Sequence, residues 1–203
     1  MPNTVKWNDK EAENVSDQVN LFNDYFKSVL PEPIDSATGI CQSDNVCENE
    51  NLQNVTITEE NLLCILKDLD TTKAIGPDNI SPVFLKECRN EVKESLCILF
   101  NKSFSDGICP SEWKQANIVP VYKGKDAKDV SNYRPISLLS VVSKLAERCL
   151  YNHIYPHISD LLCKSQHGFL KGKSTCTQLV QFIDSVSDSL DNGIQTYIIY
   201  MDF

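Results

Sequence analysis

The sequence predicts an α+β fold, in which several amphipathic helices accompany one β-hairpin and one further strand. Apolar residues recur at helical spacing in several stretches of the chain. Two short runs of β-branched and aromatic residues flank a polar turn near residue 124. A last run of the same kind, residues 196–203, predicts a strand that ends beside Asp202.

The first helix is predicted over residues 14–30, with Asn14 or Ser16 as its N-cap and two prolines after its end. Residues 31–56 are polar, acidic and without periodicity, which is typical of a linker or a poorly ordered loop. We therefore divide the chain into an acidic N-terminal extension, residues 1–57, and a second region, residues 58–203. The apolar stripe of the first helix consists of Val19, Phe22, Phe26 and Val29.

Two more helices are predicted before residue 107. Thr58, followed by two glutamates, begins the first of them. Residues 76–78 form a turn, and Ser81 then caps a helix that has proline at its first position and continues unbroken to about residue 104. The positions expected to face the core are Leu62, Leu63, Ile65, Leu66 and Leu69 in one helix, and Phe84, Leu85, Val92, Leu96, Leu99 and Phe100 in the other.

A β-hairpin with cations at its tip is predicted next. Its strands are residues 118–122 and 133–136, and residues 123–126 form its turn, with a glycine that permits the reversal. A lysine is a mobile point charge and an arginine is a fixed bidentate fork, so Lys123, Lys125 and Arg134 suit the binding of a polyphosphate. The alternative is a solvated hairpin whose lysines only keep it soluble.

The last third of the chain is predicted to hold two helices before the final strand. The first runs from Ser140 to Tyr155, because Pro156 is expected to break it. A glycine- and lysine-rich connector, residues 166–175, leads to the second, for which Thr175 and Gln178 make a capping box. The expected inward positions of that helix are Leu179, Phe182, Ile183, Val186 and Leu190.

Composition and charge exclude several classes of protein. The net charge of −9 arises within residues 1–75, which hold 5 lysines against 14 acidic residues, whereas residues 110–174 hold 10 basic residues against 5 acidic ones. The field of the whole chain would repel nucleic acid, but its middle region can form a local basic face. No apolar run is long enough for a membrane span and no signal-peptide pattern is present, so we expect no membrane partner.

The nine cysteines are predicted to be reduced, partly buried thiols, because their number is odd and no Cys-x-x-Cys motif occurs. Cys149, His153 and His157 share a helical spacing that zinc could use. Pro156 is expected to end the helix before His157, and no fourth ligand is apparent, so the sequence disfavours a zinc site.

Two features near the end of the chain suggest phosphate or metal chemistry. A P-loop needs four residues between its glycines, and only three separate Gly168 from Gly172, which argues against a nucleotide hydrolase. Lys171 and Lys173 can still bind a nucleic-acid backbone, helped by the N-terminus of the helix that follows. Asp202, at the end of an apolar strand, can hold Mg²⁺, although such an aspartate is more often a turn residue or a helix cap.

From Thr58 onward the chain resembles the reverse transcriptase of non-LTR, LINE-like retrotransposons. Residues 22–26, FNDYF, are also similar to the segment between the endonuclease and the polymerase of such elements. The resembling motifs, in chain order, are KAIGPDNI at 73–80, PSEWKQANIVP at 110–120, YKGK at 122–125, SNYRPISLLS at 131–140 with Lys144 and Glu147, QHGFLKGKST at 166–175, and MDF at 201–203.

The resemblance implies the fingers of a right-hand polymerase, mostly helical with a basic β-hairpin, and the first strand of its palm. It also implies two Mg²⁺ ions that activate the primer 3′-hydroxyl and stabilise the leaving pyrophosphate, and a nuclear or cytoplasmic location. The implied roles are binding of the dNTP triphosphate by Lys123 or Lys125 and by Arg134, contact with the backbone of the RNA template or DNA primer by Lys171 and Lys173, and catalysis with Mg²⁺ binding by Asp202.

Two departures from the family's pattern limit this expectation. Leu170 stands where many relatives have arginine, and no Asp-Asp pair, the family's second catalytic motif, occurs in the 203 residues. We therefore expect a partial RNA-directed DNA polymerase that does not polymerise DNA by itself. The alternatives are a non-catalytic nucleic-acid-binding remnant, whose RNA binding would weaken steeply with salt, and a non-functional relic of a mobile element.

Overall fold

Helices and strands are mixed along the chain, as the α+β class predicts. The computed structural model describes residues 2–30 and 55–201, and the chain divides into two units, Met1–His153 and Ile154–Phe203. In chain order the elements are β1 (Val5–Trp7), β2 (Lys10–Ala12), α1 (Val15–Ser28), α2 (Glu59–Lys67), α3 (Pro82–Glu87), α4 (Arg89–Asp106), β3 (Ala116–Tyr122), β4 (Tyr133–Leu139), α5 (Val141–Ile158) and α6 (Thr175–Asp191).

The predicted hairpin is confirmed as the antiparallel pair β3–β4, which runs from Tyr122 opposite Tyr133 to Ala116 opposite Leu139. Its connection is longer than the predicted four-residue turn. It spans residues 123–132, here called the lysine loop, and it includes a short 3-10 helix, Val130–Asn132. Strands β1 and β2 form a second antiparallel pair that the sequence did not predict.

The larger apolar core of the first unit lies between α2, α4 and the beginning of α5. The side chains of Leu62, Leu66 and Phe100 are fully buried there. The Phe100 ring meets Trp113 edge to face, with the ring centroids 5.7 Å apart. Since each buried aromatic or leucine side chain contributes about 1.5–3 kcal/mol, this core dominates the stability of the unit. Its other buried members are Ile57, Leu85, Cys97, Val141, Val142, Leu145, Ala146 and Cys149.

A smaller apolar core joins the N-terminal elements to the lysine loop. Helix α1 has Asn14 as its N-cap, one of the two residues predicted for that role, and it buries Phe22 and Phe26 as predicted. Val19 and Val29, expected on the same stripe, are instead more than half exposed. The remaining members of this core are Val5, Ala12, Leu21, Val130 and Tyr133.

The predicted unbroken helix over residues 82–104 is wrong in one respect. It is two helices, α3 and α4, which meet at Cys88. Ser81 caps α3 as expected, and Gly107 ends α4 in a left-handed conformation. Phe84 of α3 and Leu99 of α4, both expected to face the core, are exposed.

Helix α5 continues through Pro156 to Ile158, contrary to the predicted stop. The proline lies in the last turn, where the loss of one backbone hydrogen bond does not end the helix. None of the helices in the described part of the chain is long and apolar enough to cross a membrane.

Three expectations for the second unit are wrong. Helix α6 is capped by Ser174 with Thr177, rather than by Thr175 with Gln178, and within the described residues none of its inward-predicted positions is buried. The amphipathic pattern predicts an apolar face, but it does not supply a partner for that face. Residues 194–201 form no strand, because none of the described residues pairs with them.

Candidate nucleotide and nucleic-acid sites

The lysine loop holds its first two lysines by their backbones. The Lys123 amide donates a hydrogen bond to the Asn132 carbonyl oxygen, 2.8 Å away, which closes the loop above the last strand pair. The Tyr122 hydroxyl donates to the Lys125 carbonyl oxygen, and the Asn132 side chain donates to the Asp126 carbonyl oxygen over 2.9 Å. The side chains of Lys123 and Lys125 are exposed. The loop thus presents two cations to solvent, and hydrogen bonds across the loop hold its backbone.

Two aspartates of the loop use their carboxylates to shape it. Asp126 accepts a hydrogen bond from the Lys128 amide at 2.9 Å, and Asp129 accepts one from the Ser131 amide at 2.9 Å. Hydrogen bonds from the side chain and the backbone of Ser131 hold the pKa of Asp129 below its ordinary value. Both carboxylates are thus held by backbone N–H groups of the loop itself.

Arg134 lies on β4 directly opposite Val121 of β3, and its side chain is exposed. Neighbouring side chains alternate between the faces of a strand, so Arg134 lies on the face opposite Tyr133. The same face carries Val119 and Ile136, which are 40% and 45% exposed. Arg134 is one residue away from the Tyr122–Tyr133 pair, at which the loop begins and ends. A guanidinium on an accessible apolar surface can bind a molecule that has both a phosphate and an apolar part.

The far end of β4 is fixed by the turn at residues 76–78. The Ser140 hydroxyl donates a hydrogen bond to a carboxylate oxygen of Asp78 and accepts one from the Val142 amide at 3.1 Å. A Cβ atom added to Gly76 would lie 2.6 Å from the Ser140 backbone, closer than real Cβ atoms approach. The sequence predicted this turn but not the role of Asp78 or Ser140. The close approach of the two backbones requires a glycine at residue 76, and in the sequence this glycine is what indicates the contact.

Lys171 and Lys173 line an open concavity in the second unit, with a volume of about 580 Å³. Lys164 lines the same concavity, together with Tyr155. Lys164 was not predicted as a site residue, because it lies outside the glycine- and lysine-rich connector. Leu170 is also a lining residue. Three lysines around one concavity make it suitable for an anion such as a phosphodiester.

The connector that carries Lys171 and Lys173 is tied to α6 through a buried histidine. The Nδ1 atom of His167 lies 2.9 Å from the Thr177 hydroxyl, and its Nε2 atom lies 2.8 Å from the Gln181 side-chain oxygen. His167 is 7% exposed. These contacts fix the start of the connector against the first two turns of the helix.

Asp202 lies outside the described residues, so its surroundings are not defined. Among the residues that are described, no group of three or more histidine, cysteine or acidic side chains could hold a metal ion. A two-metal site needs several carboxylates in one place, so the donors in ranges 2–30 and 55–201 do not fit such a site.

Cys149, one of the three residues whose spacing zinc could use, is buried, and burial raises the pKa of its thiol to about 11.

The chain is similar to curated proteins that share one enzyme class. The chain is 30% identical over 149 residues to the "Probable RNA-directed DNA polymerase from transposon BS" of Drosophila melanogaster, which covers 72% of the chain and 16% of that protein. It is 28% identical over 139 residues to the RNA-directed DNA polymerase from mobile element jockey of the same species, covering 67% of the chain and 15% of that protein. No protein-family model matches the chain.

A third relative is the "Probable RNA-directed DNA polymerase from transposon X-element" of Drosophila melanogaster, 28% identical over 133 residues, 64% of the chain and 15% of that protein. All three relatives bear the name of the same enzyme class. The chain belongs to the reverse transcriptases of non-LTR retrotransposons. It spans about a sixth of the length of the curated relatives it matches.

Proposed function

We propose that residues 58–203 form the fingers part of an RNA-directed DNA polymerase, with residues 1–57 as an N-terminal extension. In this proposal Lys123 or Lys125, together with Arg134, binds the triphosphate of the incoming dNTP. The observation that carries the proposal is the hairpin β3–β4, which presents two exposed lysines at its tip and an exposed arginine beside them on the return strand.

The chemistry of these side chains fits a dNTP better than it fits a bare anion. The lysine ammonium groups can follow the phosphates, while the arginine fork can bind phosphate oxygens in a bidentate manner. The exposed apolar side chains around Arg134, among them Val119 and Ile136, offer a surface to the sugar and base. Inorganic triphosphate would lack that second contact, so a dNTP should bind more tightly.

Binding of dATP by the purified chain tests this proposal. We expect Arg134→Gln to weaken binding at least about tenfold, because charge-assisted hydrogen bonds contribute about 1.5–3 kcal/mol each. Lys102→Gln is the control, since Lys102 is an exposed lysine that pairs with Asp106 on α4. Equal dissociation constants for the wild type and Arg134→Gln would overturn the assignment of Arg134.

We further propose that Lys171 and Lys173 bind the backbone of the RNA template or the DNA primer, and that Lys164 joins them. Their shared concavity supports this part of the proposal.

We also propose Asp202 as the first catalytic carboxylate and as a ligand of Mg²⁺, which when bound would activate the attacking hydroxyl. Further carboxylates are required to hold that metal ion.

A second candidate function is nucleic-acid binding without catalysis, and the three-lysine concavity is the observation that favours it. For single strands, the logarithm of affinity falls with the logarithm of salt with a slope of about −0.7 per neutralised phosphate. Replacing Lys164, Lys171 and Lys173 with glutamine should therefore make the slope for single-stranded RNA shallower by about 2. An unchanged slope would contradict backbone binding at this site.

The matched control for the salt experiment replaces three exposed lysines of the first unit, Lys27, Lys67 and Lys102, with glutamine. The net charge then changes equally in both triple variants. If the salt slope became shallower to the same extent in both triple variants, overall charge rather than the concavity would determine RNA binding.

A further inference from the structure

The N-terminal elements β1, β2 and α1 pack directly against the lysine loop, although about 100 residues of sequence separate them. We infer that these elements form a brace that holds the lysine loop in position for binding a triphosphate. In this inference Lys6 and Phe22 are positioning residues that act on the loop without touching the ligand. The inference rests on the proposed function of the loop, and it assigns the first 28 residues a role in that site.

A backbone contact makes the first link between the brace and the loop. The Lys6 amide donates a hydrogen bond to the Lys128 carbonyl oxygen, 2.7 Å away, and Lys6 forms an isolated parallel bridge with Asp129. The Lys6 ammonium also lies 3.7 Å from a carboxylate oxygen of Asp126, but both side chains are more than half exposed. An exposed ion pair contributes little, so the backbone bond is the stronger constraint.

Apolar packing makes the second link. Val5 of β1 and Val130 of the loop are both fully buried in the core that the two segments share. The Phe22 ring meets Tyr133 edge to face, with ring centroids 5.0 Å apart and an interplanar angle of 77°. Tyr133 immediately precedes Arg134, so this aromatic contact fixes the base of the loop at the start of β4.

A third link comes from α1. The Tyr25 hydroxyl donates a weak hydrogen bond to the Ser131 carbonyl oxygen at 3.4 Å, and the Tyr25 ring packs edge to face on Trp7 of β1. The brace therefore contacts the loop at residues 128, 130 and 131, in the half that returns to β4, and it contacts the first residue of β4, Tyr133.

The physical need for a brace follows from the hairpin itself. A two-stranded sheet is only marginally stable by itself, and both strands of β3–β4 are largely exposed. A ligand that binds a mobile loop must also compensate the conformational entropy lost when the loop becomes ordered. Contacts that order the loop beforehand remove that cost, and so they increase affinity without adding a charge to the site.

The variant Lys6→Pro tests the backbone link with few side effects. The Lys6 amide points to the loop rather than to β2, so proline removes the donor to Lys128 while the outer side of an edge strand tolerates it. Lys6→Gln is the matched control, because it removes the same charge and keeps the amide. Hydrogen exchange of the amides at 123–132 and the dissociation constant for dATP are measured for both variants.

We expect Lys6→Pro to accelerate exchange in the lysine loop and to weaken dATP binding at least about fivefold, with exchange in α4 unchanged. Lys6→Gln should behave like the wild type. A loop whose exchange and affinity are unchanged in Lys6→Pro would overturn the inference.

A second pair of variants separates positioning from a general loss of stability. Phe22 and Phe26 are both buried in α1, but of the two only Phe22 has a ring contact with Tyr133 among the described residues. Phe22→Ala should weaken dATP binding and loosen the lysine loop more than Phe26→Ala does, and Phe22→Leu should partly restore both. Equal effects of the two alanine variants would contradict a specific brace.

The proposed function of the loop and the proposed brace can be tested separately. If the wild type binds no dATP, the proposed function of the loop is wrong and so is positioning for a triphosphate. If dATP binds and responds to Arg134→Gln but not to Lys6→Pro or Phe22→Ala, the proposed function stands and the brace is wrong.

Discussion

The Asp78 carboxylate accepts a hydrogen bond from the Ser140 hydroxyl at the point where β4 ends and α5 begins. The same hydroxyl oxygen accepts from the Val142 amide, so one serine joins the turn at residues 76–78 to the first turn of α5. The strand that carries Arg134 is therefore fixed at both ends, by the brace at its start and by this junction at its end.

Replacement of Gly76 tests how tightly the junction is packed. We expect Gly76→Ala to lower the free energy of unfolding by several kcal/mol, because the new Cβ would lie 2.6 Å from the Ser140 backbone, which cannot move aside cheaply. Gly168→Ala is the control, since its nearest neighbour is a flexible side chain 3.4 Å away. Urea unfolding measures both, and equal midpoints for the two variants would contradict the close contact.

Asp78 and Ser140 should be energetically coupled. Ser140→Ala removes the side chain that accepts from the first amides of α5, and such a loss typically costs about 1 kcal/mol. We expect the double variant Asp78→Ala, Ser140→Ala to be less destabilised than the sum of the single variants by about 0.5 kcal/mol or more. Strict additivity in urea unfolding would show that the two side chains do not interact.

The stability of the lysine loop should depend on acid pH through Asp129. Its folded pKa lies below the ordinary value of 3.8, so its carboxylate stabilises the fold above about pH 4, and that contribution disappears as pH falls through the folded pKa. The difference in unfolding free energy between wild type and Asp129→Asn should therefore be largest near neutral pH. This difference should vanish in strong acid. A difference that grows on acidification would contradict a stabilising role for the Asp129 carboxylate.

Cys149 should make the fold sensitive to alkaline pH. Burial raises the pKa of its thiol from 9.0 to about 11, so the neutral thiol is favoured in the folded state. Stability is then fully present below about pH 9 and is lost as pH rises toward 11. The variant Cys149→Ala should lose less stability over this range than the wild type, whereas Cys109→Ala, at an exposed position, should follow the wild type.

Local chemistry was sufficient to predict the starts of α1, α2 and α3 and the presence of the hairpin, but not the starts of α4 and α6. Asn14, Thr58 and Ser81 each cap a helix through a side-chain oxygen, and this signal is contained in a few adjacent residues. The two runs of β-branched and aromatic residues on either side of the lysine-bearing turn likewise predicted β3 and β4. The predicted roles of Lys123, Lys125, Arg134, Lys171, Lys173 and Asp202 stay predictions.

Contacts between distant segments could not be predicted in this way. Strands β1 and β2 have three residues each, too few for a periodic pattern, and the bond from Lys6 to Lys128 depends on the folded arrangement. Lys164 joins Lys171 and Lys173 only because the chain curves around a concavity. The apolar pattern of residues 196–203 predicted a strand, but a strand also requires a partner, and none of the described residues pairs with residues 196–201.

The most direct test of the central claim is to map where a nucleotide's triphosphate lies on this chain. A dNTP carrying a lysine-reactive aldehyde on its γ-phosphate, followed by reduction and peptide mass spectrometry, identifies the lysines within reach. We predict modification at Lys123 or Lys125 that unmodified dATP suppresses and that Arg134→Gln reduces. Modification spread evenly over the exposed lysines, without suppression by dATP, would contradict a triphosphate site on the hairpin.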